Sequence, residues 1–160
     1  MLREEYGEEK ANKFLALSGG EDGFDEYNKR HYSIHCRAGA ESWALTLERQ
    51  GIPAYVYCFD RDLPGDDRGS FHASDLWYVF KTFMRSWRPW TGTDYELADA
   101  CSSYWAAFAK TGVPQSERFP EWTPYNGASP KTMHLGDEIG MITCPDDPCV
   151  TFRKEFLMNG

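Results

Sequence analysis

Ala54-Tyr55-Val56-Tyr57-Cys58-Phe59 is an unbroken apolar and aromatic run, rich in residues that favour extended backbone. A half-exposed strand alternates polar and apolar positions. A run without that alternation predicts a strand covered on both faces, as in an α/β sheet. Upstream, Cys36, Ala40, Trp43, Ala44 and Leu47 recur at i, i+4, i+7, i+8 and i+11, which predicts one face of a helix within 33–50. Gly51 falls where a helix C′ residue belongs, and Pro53 prevents continuation. Helix, glycine, strand in that order supports the α/β class.

Other elements follow the same logic. Ala11, Phe14 and Leu15 hint at a short helix, followed by a loop through Gly19-Gly20 and the acidic stretch Glu21–Glu26. Asp60–Gly69 is a loop rich in Asp, Pro, Gly and Arg. Leu76, Val79, Phe80 and Phe83 then predict a helix with Ser74 as its N-cap. Thr93 and Glu96 form a Thr-x-x-Glu capping box for a helix over 94–111, with Leu97, Cys101, Tyr104, Trp105 and Phe108 on one face. Gly112 and Pro114 end it. Short extended pieces are expected at 132–135 and 139–143, and a last helix at 150–158.

Composition narrows the function classes. The chain has 160 residues, 16% of them aromatic, and a formal net charge of −8. Aromatic richness opposes disorder, and the acidic balance repels a phosphate backbone, so nucleic acid is not an expected partner. No window is apolar enough to span a membrane. The five cysteines, an odd number, favour a reducing, cytoplasmic compartment. Cys36, Cys58 and Cys101 lie in apolar patterns and are expected to be buried thiols. Cys144 and Cys149 can close a small disulfide loop. No second Cys or His pair at zinc-site spacing accompanies them, and neither a metal nor a cofactor is expected. The opening Met1-Leu2-Arg3-Glu4-Glu5-Tyr6 is no secretory signal, a point that bears on secretion only if Met1 is the true start.

Four histidines are candidates for proton transfer. His31 and His35, four apart, can share a helix face but lack the Glu of a zinc-protease motif. His134 lies in an apolar extended piece and reads as structural. His72 stands beyond the loop that follows the expected buried strand. Open α/β sheets place functional groups at such strand ends, and an imidazole there can shuttle a proton near neutral pH.

Around His72, Gly69-Ser70-Phe71-His72-Ala73-Ser74-Asp75-Leu76-Trp77-Tyr78-Val79-Phe80 resembles the catalytic-histidine segment of type-B carboxylesterases, the group that includes cholinesterases and para-nitrobenzyl esterases. Its pattern there is roughly G-x-x-H-x-x-(E/D)-L-x-Y-V-F. The stretch from Ser103 to Pro114 resembles the family's Y-W-x-N-F-A-K-T-G-x-P helix end. Phe119–Tyr125 followed by Met133–Gly136 is similar to L-P-x-W-P-x-Y and M-x-L-G, and the strand at 54–59 to P-V-Y-x-Y-x-F. The four segments stand in the family's order and cover most of residues 30–136. Departures are Lys81 for a usual glycine, Ala107 for Asn and Trp77 for Pro.

The resemblance implies the C-terminal part of an α/β-hydrolase fold: few strands with flanking helices and an incomplete sheet, with residues 1–160 forming one partial region. It implies serine-esterase chemistry on a small-molecule ester, with His72 as general base and then general acid, and Phe71 and Trp77 against the substrate pocket. In this fold the order is Ser, then Asp or Glu, then His. Neither Ala16-Leu17-Ser18-Gly19-Gly20 nor Gly127-Ala128-Ser129-Pro130-Lys131 is a G-x-S-x-G elbow. Nucleophile and acid are therefore expected upstream in a longer esterase, and this polypeptide alone is expected to be inactive. Asp75 reads as a helix-start charge favoured by the helix dipole. A non-catalytic cholinesterase-like binding module is the alternative reading. A sugar-binding module would use exposed rings, but Tyr104, Trp105 and Phe108 at helical spacing read as core. A strand at 54–59 without its neighbours exposes unpaired edge groups, so marginal stability or self-association is expected.

Overall fold

A computed structural model describes residues 2–19 and 24–159, which form two compact units, Met1–Ile52 with Pro145–Gly160, and Pro53–Cys144.

The first unit is helical: α1 (Leu2–Tyr6), α2 (Glu8–Leu17), α3 (Phe24–Glu48) and α6 (Pro148–Asn159). Residues 20–23 of the expected acidic loop lie outside the described residues, and helix begins at Phe24. α3 ends as its sequence requires, with Gly51 at φ +71 and Ile52 N–H donating to the Leu47 carbonyl at 3.0 Å. Its buried face is not the expected one. Ile34, Ala38, Glu41 and Ala44 are buried, whereas Cys36 and Trp43 are exposed. Apolar counting misses this face because a carboxylate lies on it. Glu41 accepts from Arg37 Nε (2.7 Å) and Lys154 Nζ (2.5 Å), so its burial leaves no unpaired charge. Burial pushes the Glu41 carboxyl up, but these two cations hold it below its ordinary range. The unit's core joins Tyr6, Phe14, Ile34, Val150 and Phe152, with ring centroids of Tyr6 5.6 Å from both Phe14 and Phe152.

The second unit carries the sheet, β1 (Tyr57–Phe59), β2 (Thr132–Leu135) and β3 (Ile139–Ile142) in the order β1-β2-β3. β1 runs parallel to β2, with Cys58 opposite His134, and β2 pairs antiparallel with β3. The expected six-residue strand buried on both faces shortens to three residues, with Tyr57 and Cys58 exposed. Ladder bonds still extend beyond it: Met133 N–H donates to the Val56 carbonyl at 2.9 Å and Asp60 N–H to the Leu135 carbonyl at 3.2 Å. Among the described residues β1 has a neighbouring strand on one edge, so side chains of a second flanking strand do not screen its exposed positions.

Two helices pack together beside the sheet, α4 (Asp75–Val79) and α5 (Gly92–Thr111). α4 stops short of the expected Phe83 because the chain turns through Lys81 at φ +52. The capping box of α5 is formed by Thr91 and Asp94, two residues before the expected Thr93 and Glu96. Gly112 closes the helix at φ +77. Leu97, Cys101 and Tyr104 are buried as expected, while Phe108 is exposed. The core gathers these with Leu63, Tyr78, Phe83, Met133 and Leu135. None of the five cysteines is in a disulfide, so the small loop expected between Cys144 and Cys149 is not closed by one; Cys101 and Cys149 are buried, Cys36 and Cys58 exposed, so the expectation of three buried thiols holds for Cys101.

Candidate active site

His72 is exposed and sits in a tight turn between β1 and α4. The turn is closed by the fully buried Ser74. Its hydroxyl donates to the Phe71 carbonyl at 2.7 Å and accepts from the Phe71 N–H at 3.3 Å, while its own N–H donates to the same carbonyl at 3.0 Å. The expected N-cap bond is thus replaced by one that fixes the backbone on both sides of His72. Ala73 carries the turn at φ +67, a conformation that L-residues adopt at a cost.

Asp75, three residues on, opens α4 as expected, and its Oδ2 accepts from the Tyr57 hydroxyl of β1 at 2.8 Å. The Tyr57 side chain is exposed in part, but desolvation of its hydroxyl first, and then this carboxylate, push that hydroxyl well above its ordinary range. The bond ties the strand end to the His72 turn. Phe71 is half-exposed and meets the partly buried Trp77 edge-on at 5.7 Å. Trp77 in turn meets Trp90 at 6.1 Å. The two expected pocket residues therefore lie together beside His72, with Trp77 also packed on the core.

The unit's second histidine is committed elsewhere. His134 Nε2 lies 2.6 Å from Asp60 Oδ1, and Nδ1 lies 2.7 Å from the Glu138 carbonyl. Gly136 backs onto this pair, and a Cβ there would collide with Asp60 Oδ1 and the His134 ring. His134 thus links the end of β1 to the β2–β3 turn, the structural role its sequence setting suggests.

A buried charge network anchors the start of the loop leading to His72. Asp94 is fully buried and accepts from Arg61 Nε (2.8 Å), the Tyr78 hydroxyl (2.8 Å) and both the N–H and hydroxyl of Thr91 (2.8 Å each). Arg61 also reaches Asp137. Burial pushes the Asp94 carboxyl up, but the bonds from Arg61, Thr91 and Tyr78 outweigh it and hold it at about 2. Sequence reasoning missed this network. The signal available was an arginine in the first turn of a strand-end loop, with an Asp three residues after a Thr. Among the described residues no three His, Cys, Asp or Glu side chains converge as metal ligands, and no helix is long and apolar enough to cross a membrane.

This arrangement has relatives. Over 81 residues, 48% of this chain and 14% of the relative's length, it is 28% identical to Carboxylesterase 4A of Bos taurus. Over 95% of the chain it superposes on a thermophilic PNB esterase with a TM-score of 0.72 and 21% identity, and over 65% on another PNB esterase with a TM-score of 0.56 and 26% identity. It spans 32% and 22% of those two chains. The sheet is accordingly an incomplete portion of the α/β-hydrolase sheet. Residues 18–148 match the model of the carboxylesterase family, and by that match, the four sequence segments and the shared fold, the chain belongs to the type-B carboxylesterases, whose chemistry is hydrolysis of carboxylic esters.

Proposed function

We propose that this chain supplies the proton-transfer histidine of a serine carboxylesterase, and that His72 is that residue. One observation carries the reading. His72 is exposed on the turn that ends the loop after the parallel strand β1, inside the 69–80 segment that resembles the family's catalytic-histidine segment, whereas His134 is built into the junction of β1 with the β2–β3 turn. In the reaction His72 takes the proton from a serine hydroxyl as it attacks the ester carbonyl. It then returns the proton to the leaving alcohol. Phe71 and Trp77 contribute apolar wall beside the imidazole, suited to an ester with an aromatic or aliphatic group.

The serine comes from outside the 160 residues, because no G-x-S-x-G elbow occurs among them. Without it the imidazole has no hydroxyl to activate. The test is hydrolysis of p-nitrophenyl acetate by the chain alone, against a His72→Ala control. Equal, background rates are expected. Stoichiometric labelling by a serine-reactive phosphonate would overturn the placement of the nucleophile.

A further inference from the structure

Between β1 and the His72 turn, residues 60–70 contain no helix or strand, yet a single buried cation grips their middle. The Arg88 side chain is 5% exposed. Its Nη1 donates to Asp66 Oδ1 at 3.0 Å and its Nη2 to Asp66 Oδ2 at 2.8 Å, a two-pronged pair that fixes orientation as well as distance. Nη1 also donates to the Pro64 carbonyl at 2.9 Å. The guanidinium carbon lies 5.9 Å from the centre of the Phe71 ring, within cation–π reach. The chain closes on the same spot from behind. Gly65 runs at φ +103 against Trp87 and Pro89, and a Cβ there would come within 2.9 Å of Pro89 Cδ. One guanidinium therefore touches the loop at residues 64, 66 and 71, and residue 71 directly precedes the histidine.

We propose that Arg88 is a positioning residue for His72: through Asp66, Pro64 and the Phe71 ring it holds the loop that delivers the imidazole. Ser74 closes the turn locally, and Arg88 places that turn on the rest of the unit. Asp66 is the other half of the device, its carboxyl held below the ordinary range by the Arg88 hydrogen bonds. The importance of this positioning for catalysis rests on the reading of His72 given above.

The test follows the ring Cε1–H signals of the histidines by NMR in the full 160-residue chain, with His72 assigned from His72→Gln. Arg88→Ala is expected to shift and broaden the His72 signal while leaving His134 and His31 in place. Arg88→Lys restores the signal in part, since an ammonium cannot engage both carboxylate oxygens in the fork geometry. Arg118→Ala, which breaks an exposed contact to Asp99 in the same unit, leaves His72 unmoved. Asp66→Asn removes one partner at the surface and gives a smaller His72 shift. It decides the matter if Arg88→Ala does not fold. An unmoved His72 signal in folded Arg88→Ala, or in Asp66→Asn where the alanine variant fails, overturns the proposal. No hydrolysis enters this readout, so a well-held but non-catalytic His72 passes here, and is revealed only when the residues are exchanged into a family esterase with its own serine and His72→Ala leaves its kcat unchanged.

Discussion

Lys81, like Ala73, has a backbone conformation at odds with its residue type. It sits at φ +52, where a Cβ crowds the following carbonyl, and it stands where the resembling segment usually has glycine. Its ammonium pairs with Asp99 at 2.7 Å, but both side chains are more than 40% exposed, and such pairs contribute little. Relief of backbone strain therefore outweighs loss of the ion pair. Lys81→Gly is expected to raise stability by roughly 0.5–1 kcal/mol, read as a higher urea midpoint at unchanged slope. A lower midpoint would show that the ion pair matters more. Ser74 illustrates a different limit of sequence reading. A serine before an apolar helical pattern signals an N-cap, and Ser74 does immediately precede α4, but its hydroxyl turns back to Phe71 because its backbone is already helical there. The choice between two equally local partners depends on φ and ψ, which the residue types around it do not set.

Among the elements, the strongly periodic ones were legible. α5 shows its buried stripe in Leu97, Cys101 and Tyr104, and glycines mark the ends of both long helices. β2 and β3 fall where short extended pieces were expected. β1 was legible as a strand next to a parallel partner but not in its exposure, because burial depends on neighbours that a local pattern does not record. α3 was misread for a related reason: the partners of Glu41 include Lys154, more than a hundred positions away. The same helix makes a pH prediction. The rings of His31 and His35 lie 4.1 Å apart on α3, tilted by 37°. Burial, then Arg153 on α6 and His31, push the His35 imidazole below its ordinary 6.5, opposed by Glu5 on α1. The unfolded chain therefore takes up this proton first as pH falls below 6.5, and the stability associated with neutral His35 is complete above that value and declines below it. Urea midpoints at pH 7.5 and 5.5 are expected to differ in the wild type and to converge in His35→Gln. An equal drop in both would assign the effect to other groups.

At the scale of the whole molecule, the chain covers 14% of its bovine relative and 32% of the thermophilic esterase chain it superposes on. In the sheet-bearing unit this leaves β1 with Tyr57 and Cys58 exposed and a neighbour on one side among the described residues. An apolar strand of this kind is a template for pairing with another chain. Sedimentation of the purified chain is expected to show concentration-dependent association that Cys58→Lys weakens, since a lysine on an edge strand opposes pairing. A monomer at all concentrations would contradict this. The family was legible in the sequence because its segments are local and ordered along the chain. The loop anchors of Arg61 and Arg88 were not, because each joins residues far apart in sequence.

The central claim is that His72 is the proton carrier of an ester hydrolase whose nucleophile lies outside these residues. It is tested most directly by exchanging residues 18–148 into a family esterase that bears its own G-x-S-x-G elbow, and measuring kcat for p-nitrophenyl acetate. His72→Ala is expected to lower kcat by about 10⁴-fold or more, while His31→Gln leaves it unchanged. An active exchange protein that keeps its kcat after His72→Ala would contradict the account.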